Sequence, residues 1–170
     1  MSKIILQTPR LILREINPTD AKAMLELNSD PEVMKYTGDV SFSSIEETRT
    51  FIANYPDYEK NGFGRNAVLL KETGEFLGWC GLKKLKDKTV DIGYRFHKRN
   101  WNKGYATESA RAIIGYGFNN YDLTEIIGNA AEDNIGSIRV FQKLRMELIS
   151  KREYDALGRA VLYKILKSKF

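Results

Sequence analysis

From Arg10 to Leu144 the apolar positions change period several times, and each change marks an element. Arg10-Leu11-Ile12-Leu13-Arg14 reads as a strand closed by charge at both ends. Asn17 and Pro18 have the form of a helix cap and a first helical position, and Ala21, Met24 and Leu25 follow at helical spacing, which predicts a helix to about Asn28. Ser44 with Glu47 is a capping-box pair ahead of Ile45, Thr48, Phe51, Ile52 and Tyr55, which share one face of a second helix that Pro56 weakens or ends. Between Asn66 and Leu82 two apolar runs flank Lys71-Glu72-Thr73-Gly74-Glu75, the pattern of a β-hairpin, and Val90 to Phe96 alternates with period two as a third member of that sheet. Ala106, Ala110, Ile113, Ile114 and Gly117 then fall on one helical face, so a helix starts near Gly104. Glu125 to Ala130 reads as a buried strand. Asp133-Asn134 caps a helix carrying Ile138, Phe141 and Leu144, and two strands around Asp155-Ala156-Leu157-Gly158 finish the chain. The predicted order is βααβββαβαββ.

Length and composition narrow the classes. The 170 residues fit one domain over 1–170, and 42% hydrophobic against 29% charged residues supply a core and exclude disorder by composition. Lys and Arg number 27 and Asp and Glu 22, a formal charge of +5 that favours anionic partners such as nucleotides and phosphates without choosing among them. One cysteine, Cys80, forbids an internal disulfide, and one histidine, His97, leaves no Cys/His zinc set, so no metal is expected. The longest apolar stretches, such as Ile4 to Leu6 and Ala67 to Leu70, are far below the ~20 residues of a membrane helix, and Met1 to Pro9 lacks the apolar length of a leader, so the expected location is the cytoplasm, away from membranes.

The stretch Trp101-Asn102-Lys103-Gly104-Tyr105-Ala106-Thr107 joins a strand to a helix start, with small residues where the first turn must be approached closely and Lys98, Arg99 and Lys103 adding charge. Helix N-termini present unpaired amides and partial positive charge, so this turn suits a pyrophosphate; a glycine that merely permits a tight loop is the plainer alternative. Gly62-Phe63-Gly64 imitates part of a dinucleotide fingerprint but precedes a strand instead of following one, which excludes it. His97 lies in the basic loop, where exposure or a phosphate contact is expected, and Cys80 sits in a core strand as a structural thiol.

Trp101 through Ala106 resembles the pyrophosphate loop Q/R-x-x-G-x-G/A of the GNAT N-acetyltransferases, and Trp101 through Glu108 resembles the W-G-K-G-Y-A-T-E of its RimJ/RimL branch, with Asn102 in place of a glycine. Thr8 through Arg14 with Asp20-Ala21, Asp30-Pro31-Glu32-Val33-Met34, Gly78-Trp79-Cys80-Gly81-Leu82, Ile92-Gly93-Tyr94, and Asn134 through Ser137 with Lys143-Leu144 follow the same branch in order. Two departures stand out: Arg145-Met146 where Gly-Phe is usual, and Phe141 where many superfamily members carry a tyrosine acid.

The resemblance implies an α+β fold with a mixed, mostly antiparallel sheet of about seven strands and helices on both faces, and hairpin signals at Gly74 and Gly158 independently support antiparallel pairing. It implies acetyl-CoA as acetyl donor, held by Trp101, Asn102, Lys103, Gly104, Tyr105, Ala106 and Thr107, by Asn134, and by the backbone of Tyr94, Arg95 and Phe96 in a cleft beside the strand of Ile127. Asp91, just before the family's strand bulge, is the candidate base, with a solvated strand position as the alternative; Ser137 is the candidate donor to the departing thiolate, with local backbone bonding as its alternative. The acceptor implied is a protein α-amino group, notably of a ribosomal protein, and a homodimer is compatible with the resemblance. A small amine such as a polyamine, an amino acid or an aminoglycoside is the alternative acceptor. A nucleotide- or RNA-binding module without chemistry is the alternative of another class, although no nucleic-acid signature accompanies the aromatic residues.

Overall fold

The computed structural model describes residues 2–154 and 158–170. Strands Ile4–Gln7 (β1), Leu11–Glu15 (β2), Arg65–Leu70 (β3), Phe76–Lys84 (β4), Val90–Phe96 (β5), Glu125–Ala131 (β6), Glu147–Tyr154 (β7) and Gly158–Leu166 (β8) form one eight-stranded sheet in the order β1-β2-β3-β4-β5-β6-β8-β7. Every neighbouring pair is antiparallel except β5 and β6, which run parallel. Helices are Ala21–Ser29 (α1), Pro31–Met34 (α2), Ile45–Ala53 (α3), Asp57–Asn61 (α4), Tyr105–Asn120 (α5) and Ile135–Lys143 (α6).

The local signals act as read. The Asn17 side chain accepts from Thr19 N, and Asp20 Oδ2 accepts from Asn17 N, closing a capping box over the 3-10 turn that leads into α1. Ser44 Oγ accepts from Glu47 N at the start of α3, and Pro56 stands between α3 and α4. The sheet has one strand more than expected: β1 pairs with β2, Ile4 opposite Arg14. The face expected of α3 is only partly buried, since Thr48 and Ile52 are inside while Ile45 and Phe51 are exposed. Of the expected turn Asp155-Ala156-Leu157-Gly158, residues 155–157 lie outside the described residues, and Tyr154 and Gly158 are paired in the β7–β8 ladder.

One face of the sheet packs on α5 and α6. Leu11, Leu13, Val68, Leu82, Ile92 and Phe96 meet Ala110, Ile113, Ile114 and Phe118 in a continuous core, each large aliphatic side chain contributing about 1.5–3 kcal/mol by leaving water. The small residues of α5 set its distance: a Cβ on Gly117 would sit 2.7 Å from Leu82 Cδ1. The other face packs Ala21 and Met24 of α1 on Ile52 of α3, and Leu27 and Val33 on Trp79.

Two contacts fix the N-terminal signature, the first of them to α5. Glu108 of α5 accepts from Thr8 Oγ1 at 2.6 Å, from Arg10 N at 3.0 Å and from Arg10 Nε at 2.6 Å, so β2 is clamped to the start of α5. Arg14 grips buried Asp20 with both Nη atoms at 2.7 Å. At the end of α6, Met146 N donates to Phe141 O and Arg145 N to Gln142 O, a Schellman closure with Arg145 left-handed at φ +59°. This is the turn in which the family usually has glycine, and its hydrogen bonds form here around an arginine.

Candidate active site

The parallel pair β5–β6 is joined at a single register position, Asp91 opposite Ile127. Beyond it Ile92 to Phe96 and Gly128 to Ala131 have no partners in each other, so a cleft opens toward the C-terminal ends of both strands. Exposed strand edges of this kind accept an extended chain through backbone hydrogen bonds. Tyr94, Arg95 and Phe96 lie on this edge. Their side chains have separate duties: Tyr94 packs on Phe141 and its hydroxyl donates to Ser137 O at 3.2 Å, Arg95 reaches the opposite sheet face, and Phe96 is buried with its carbonyl accepting from Trp101 Nε1 at 2.8 Å.

At the mouth of the cleft the chain turns from β5 through a 3-10 turn, Lys98–Asn100, into α5. Gly104 caps α5 with φ +83° and no side-chain cap, so no capping side chain occupies the first-turn amides at Tyr105, Ala106 and Thr107. Those amides and the macrodipole of a 16-residue helix form an anion-binding end, which fits a pyrophosphate. Asn102 is also left-handed, at φ +60°, the conformation for which Asn is the best substitute for glycine. Arg10 stabilises the turn from below: Nη1 donates to Lys103 O at 2.9 Å and the guanidinium lies 4.7 Å from the Tyr105 ring centroid. Of the flanking cations, Arg99 is turned away to Glu26 and Glu75, leaving Lys98 and Lys103 exposed at the loop.

On the sheet face opposite α5, Asp91 sits where the strands part. Asn129 Nδ2 donates to Asp91 Oδ1 at 3.1 Å, and Arg152 Nη2 donates to Asn129 Oδ1 at 3.1 Å. Burial pushes the Asp91 carboxyl up from 3.8 to about 6; the Asn129 hydrogen bond and the charges of Arg65 and Lys83 pull the other way without cancelling it. A carboxylate in this range can accept a proton near neutral pH and release it again.

Across the cleft, Asn134 caps α6, its Oδ1 accepting from Ser137 N at 3.1 Å. The Ser137 side chain interacts with the Tyr94 hydroxyl, which also donates to Ser137 O at 3.2 Å, so Ser137 is held against Tyr94 at the cleft. Phe141 is 1% exposed, filling the space over Gly128, where a Cβ would sit 2.6 Å from its ring. His97 is not exposed as expected: it is 3% exposed against Phe76, its Nε2 lacks a partner, and burial lowers its pKa, so it stays neutral. Burial pushes the Cys80 thiol up to about 12, which removes it as a nucleophile.

Residues 10–147 match the family model described as the acetyltransferase (GNAT) domain. The chain belongs to the GNAT acetyltransferases. It is 31% identical over 97% of both chains to an uncharacterized N-acetyltransferase p20 of Bacillus licheniformis, and 36% identical to the uncharacterized N-acetyltransferase YnaD of Bacillus subtilis over 82% of this chain and 80% of the relative. A GNAT-family acetyltransferase from Bacillus anthracis superposes with a TM-score of 0.81 at 29% identity, covering 96% of this chain and 98% of the other. The RimL acetyltransferase of ribosomal L7/L12 shares the fold, with a TM-score of 0.83 at 18% identity over 98% and 95% of the two chains. As in its family, this GNAT enzyme is an acetyl-CoA-dependent N-acetyltransferase. Asn129 and Arg152 were not among the residues marked from sequence; a polar side chain inside the apolar run Ile126 to Ala131 was the available signal for the first.

Proposed function

We propose that this enzyme, one acetyltransferase domain over 1–170, acetylates an α-amino group, of the kind found at the N-terminus of a ribosomal or other protein. The observation that carries the reading is Asp91, a partly buried carboxyl with a pKa of about 6 at the point where β5 and β6 part. Taking a proton from an α-ammonium of pKa about 8 is uphill by about 2 units, roughly 3 kcal/mol, whereas a lysine or alkylamine near 10.4 asks for roughly 6 kcal/mol. The base therefore suits the weaker amine.

Bound acetyl-CoA supplies the thioester carbonyl carbon that the amine attacks. The loop Trp101–Thr107 holds the pyrophosphate, with Asn134 on the pantetheine side, and the edge of β5 from Tyr94 to Phe96 aligns the arm. Asp91 takes the proton that the ammonium loses, directly or through water. The neutral nitrogen forms its bond to the acetyl carbon as the carbon–sulfur bond breaks, and the amine's second proton leaves the new amide nitrogen for solvent. Ser137 Oγ donates a hydrogen bond to the departing thiolate, which takes its proton from solvent. Phe141, which has no proton to give, shapes the floor of the cleft beside Tyr94.

The test is CoA release from acetyl-CoA with two peptides of one sequence, one with a free α-amino group and a blocked lysine, the other with a blocked N-terminus and a free lysine. Faster release with the first is expected. Preference for the second, or for spermidine over both, overturns the α-amino reading.

A further inference from the structure

On the sheet face that carries Asp91, the register sets three rows side by side: Lys83 opposite Asp91, Arg65 and Gly93 on either side of Gly81, and Ala67 and Arg95 on either side of Trp79. Opposed residues of antiparallel strands project to the same side. Arg65, Trp79, Asp91 and Arg95 therefore share one face, and Gly81 and Gly93 place no side chain between Arg65 and Asp91. The Trp79 ring leans toward that gap, since a Cβ on Gly93 would lie 3.3 Å from Trp79 Cζ3 and 3.9 Å from Asp91 Oδ2.

Two guanidinium groups touch the indole, and they differ in one respect. Arg95, 5.4 Å from the ring centroid, is fully engaged, with Nη1 on Asn28 Oδ1 at 2.6 Å and Nη2 on Asp39 Oδ2 at 2.5 Å. Arg65, 4.4 Å from the centroid, bonds only through its backbone: its N–H donates to Tyr55 Oη and its carbonyl accepts from Tyr58 Oη. Among the described residues its guanidinium has no carboxylate within 4.0 Å and no hydrogen-bond acceptor, and its charge reaches Asp91 only at longer range. Arg49, Arg139 and Arg145 share that lack, but they are exposed and water serves them, whereas Arg65 is partly buried. Five donors held on an aromatic face without an acceptor form a fork shaped for a carboxylate.

We propose that Arg65 anchors a carboxylate carried by the acceptor, so that the substrate is an amine with an acid group in the same molecule. The proposal rests on the reading of Asp91 as the group that receives the amine, and it names what the amine is attached to. Arg65 lies in the row of Gly81 and Gly93, two residues along β5 from Asp91, close enough for its charge to act on the Asp91 carboxyl without an ion pair, which leaves room between them for a molecule carrying both an amine and an acid. The same cations, Arg65 with exposed Lys83, repel a polyamine, whose remaining ammonium groups would enter beside them. The acid can be the α-carboxylate of a free amino acid or an acidic side chain next to a polypeptide N-terminus, and one experiment separates them.

Full-length wild type, Arg65→Gln and Arg65→Lys are assayed for CoA release with alanine against alaninamide, with amidated Ala-Glu-Gly against amidated Ala-Gln-Gly, and with spermidine, at equal concentrations of unprotonated amine. Wild type is expected to favour the acid member of at least one pair, and the pair that shows it identifies the source. In Arg65→Gln the kcat/KM ratio of acid over amide should fall about 10- to 100-fold, mostly through KM, and Arg65→Lys should restore part of it. Thermal melting confirms that the variants fold. Turnover with no preference for acid in either pair, or a ratio that survives Arg65→Gln, overturns the carboxylate anchor and leaves the acetyltransferase reading in place. Preference for spermidine overturns both the anchor and the α-amino reading, and acetyl-CoA binding measured by calorimetry without turnover of any amine overturns the role of Asp91 together with the anchor.

Discussion

Asn129 Nδ2 donates to Asp91 Oδ1 at 3.1 Å across the one position where β5 and β6 are still paired. Because Asn129 is itself held by Arg152, the donor is oriented before any substrate arrives. The bond favours the ionised carboxylate, so it holds Asp91 below the value that burial alone would set. In Asn129→Ala that brake is lost and the Asp91 pKa rises. The acid limb of kcat/KM, expected near 6 in wild type, should move about one unit to higher pH, measured as a pH–rate profile with acetyl-CoA saturating.

Asp91→Asn keeps the shape and removes the basicity. Turnover should fall roughly 10²- to 10⁴-fold while the acetyl-CoA dissociation constant changes less than about threefold. An unaltered profile that follows only the acceptor's own pKa in both proteins would show that the amine loses its proton to water before it binds.

The same substitution has a consequence for stability. The folded pKa of Asp91, about 6, lies above its ordinary 3.8, so between these values the native state binds more protons than the unfolded chain, and stability falls as pH rises through that window. Above it, the ionised carboxylate costs the fold about 3 kcal/mol. Asp91→Asn should therefore be more stable than wild type at pH 8 by about this amount and should lose the advantage near pH 4, as urea midpoints at the two pH values will show.

Arg145 occupies a left-handed position, φ +59°, in the Schellman turn after α6. Its side chain is exposed and has no partner among the described residues, while a non-glycine residue in this conformation costs about 1 kcal/mol. Arg145→Gly should raise the stability by about 0.5–1 kcal/mol with turnover preserved, measured by thermal melting alongside the assay.

What could be read from the sequence was largely local. Asn17, Ser44 and the turn Lys71 to Glu75 act within a few residues of themselves, and each does in the structure what its type suggested. The strand β1 escaped notice because Ile4-Ile5-Leu6 is too short to carry a period, and its strand character comes from pairing with β2, including Glu15 N on Lys3 O. Thr8, Arg10 and Glu108 were visible as separate pieces of a resemblance, but that they meet depends on how α5 crosses the sheet. Asp91 could be placed on its strand, whereas its partner Asn129 comes from β6, and Arg152, which holds Asn129, comes from β7, and both are brought there only by the strand order. The burial of His97 has the same origin: a polar residue in a basic loop gives no local sign that Phe76 and the start of β4 will cover it.

The loop proposed to hold the pyrophosphate gives the sharpest test of the cofactor site, because two left-handed positions there, Asn102 and Gly104 on either side of Lys103, allow opposite substitutions. Gly104 has φ +83°, and a Cβ built on it would lie 3.3 Å from Arg10 Nη2. In Gly104→Val the branched side chain is strained in this conformation, presses on the arginine that braces Lys103 O, and stands beside the first-turn amides of α5. Acetyl-CoA affinity should fall by a factor of about 10 to 100 in calorimetry, with circular dichroism showing that the fold persists. Asn102→Gly, by contrast, keeps the left-handed backbone at φ +60° and should leave the affinity within about twofold, whereas Asn102→Val should weaken it. If a folded Gly104→Val binds acetyl-CoA as wild type does, the cofactor's phosphates lie elsewhere; if both Asn102 variants bind alike, the left-handed turn is not what presents the amides.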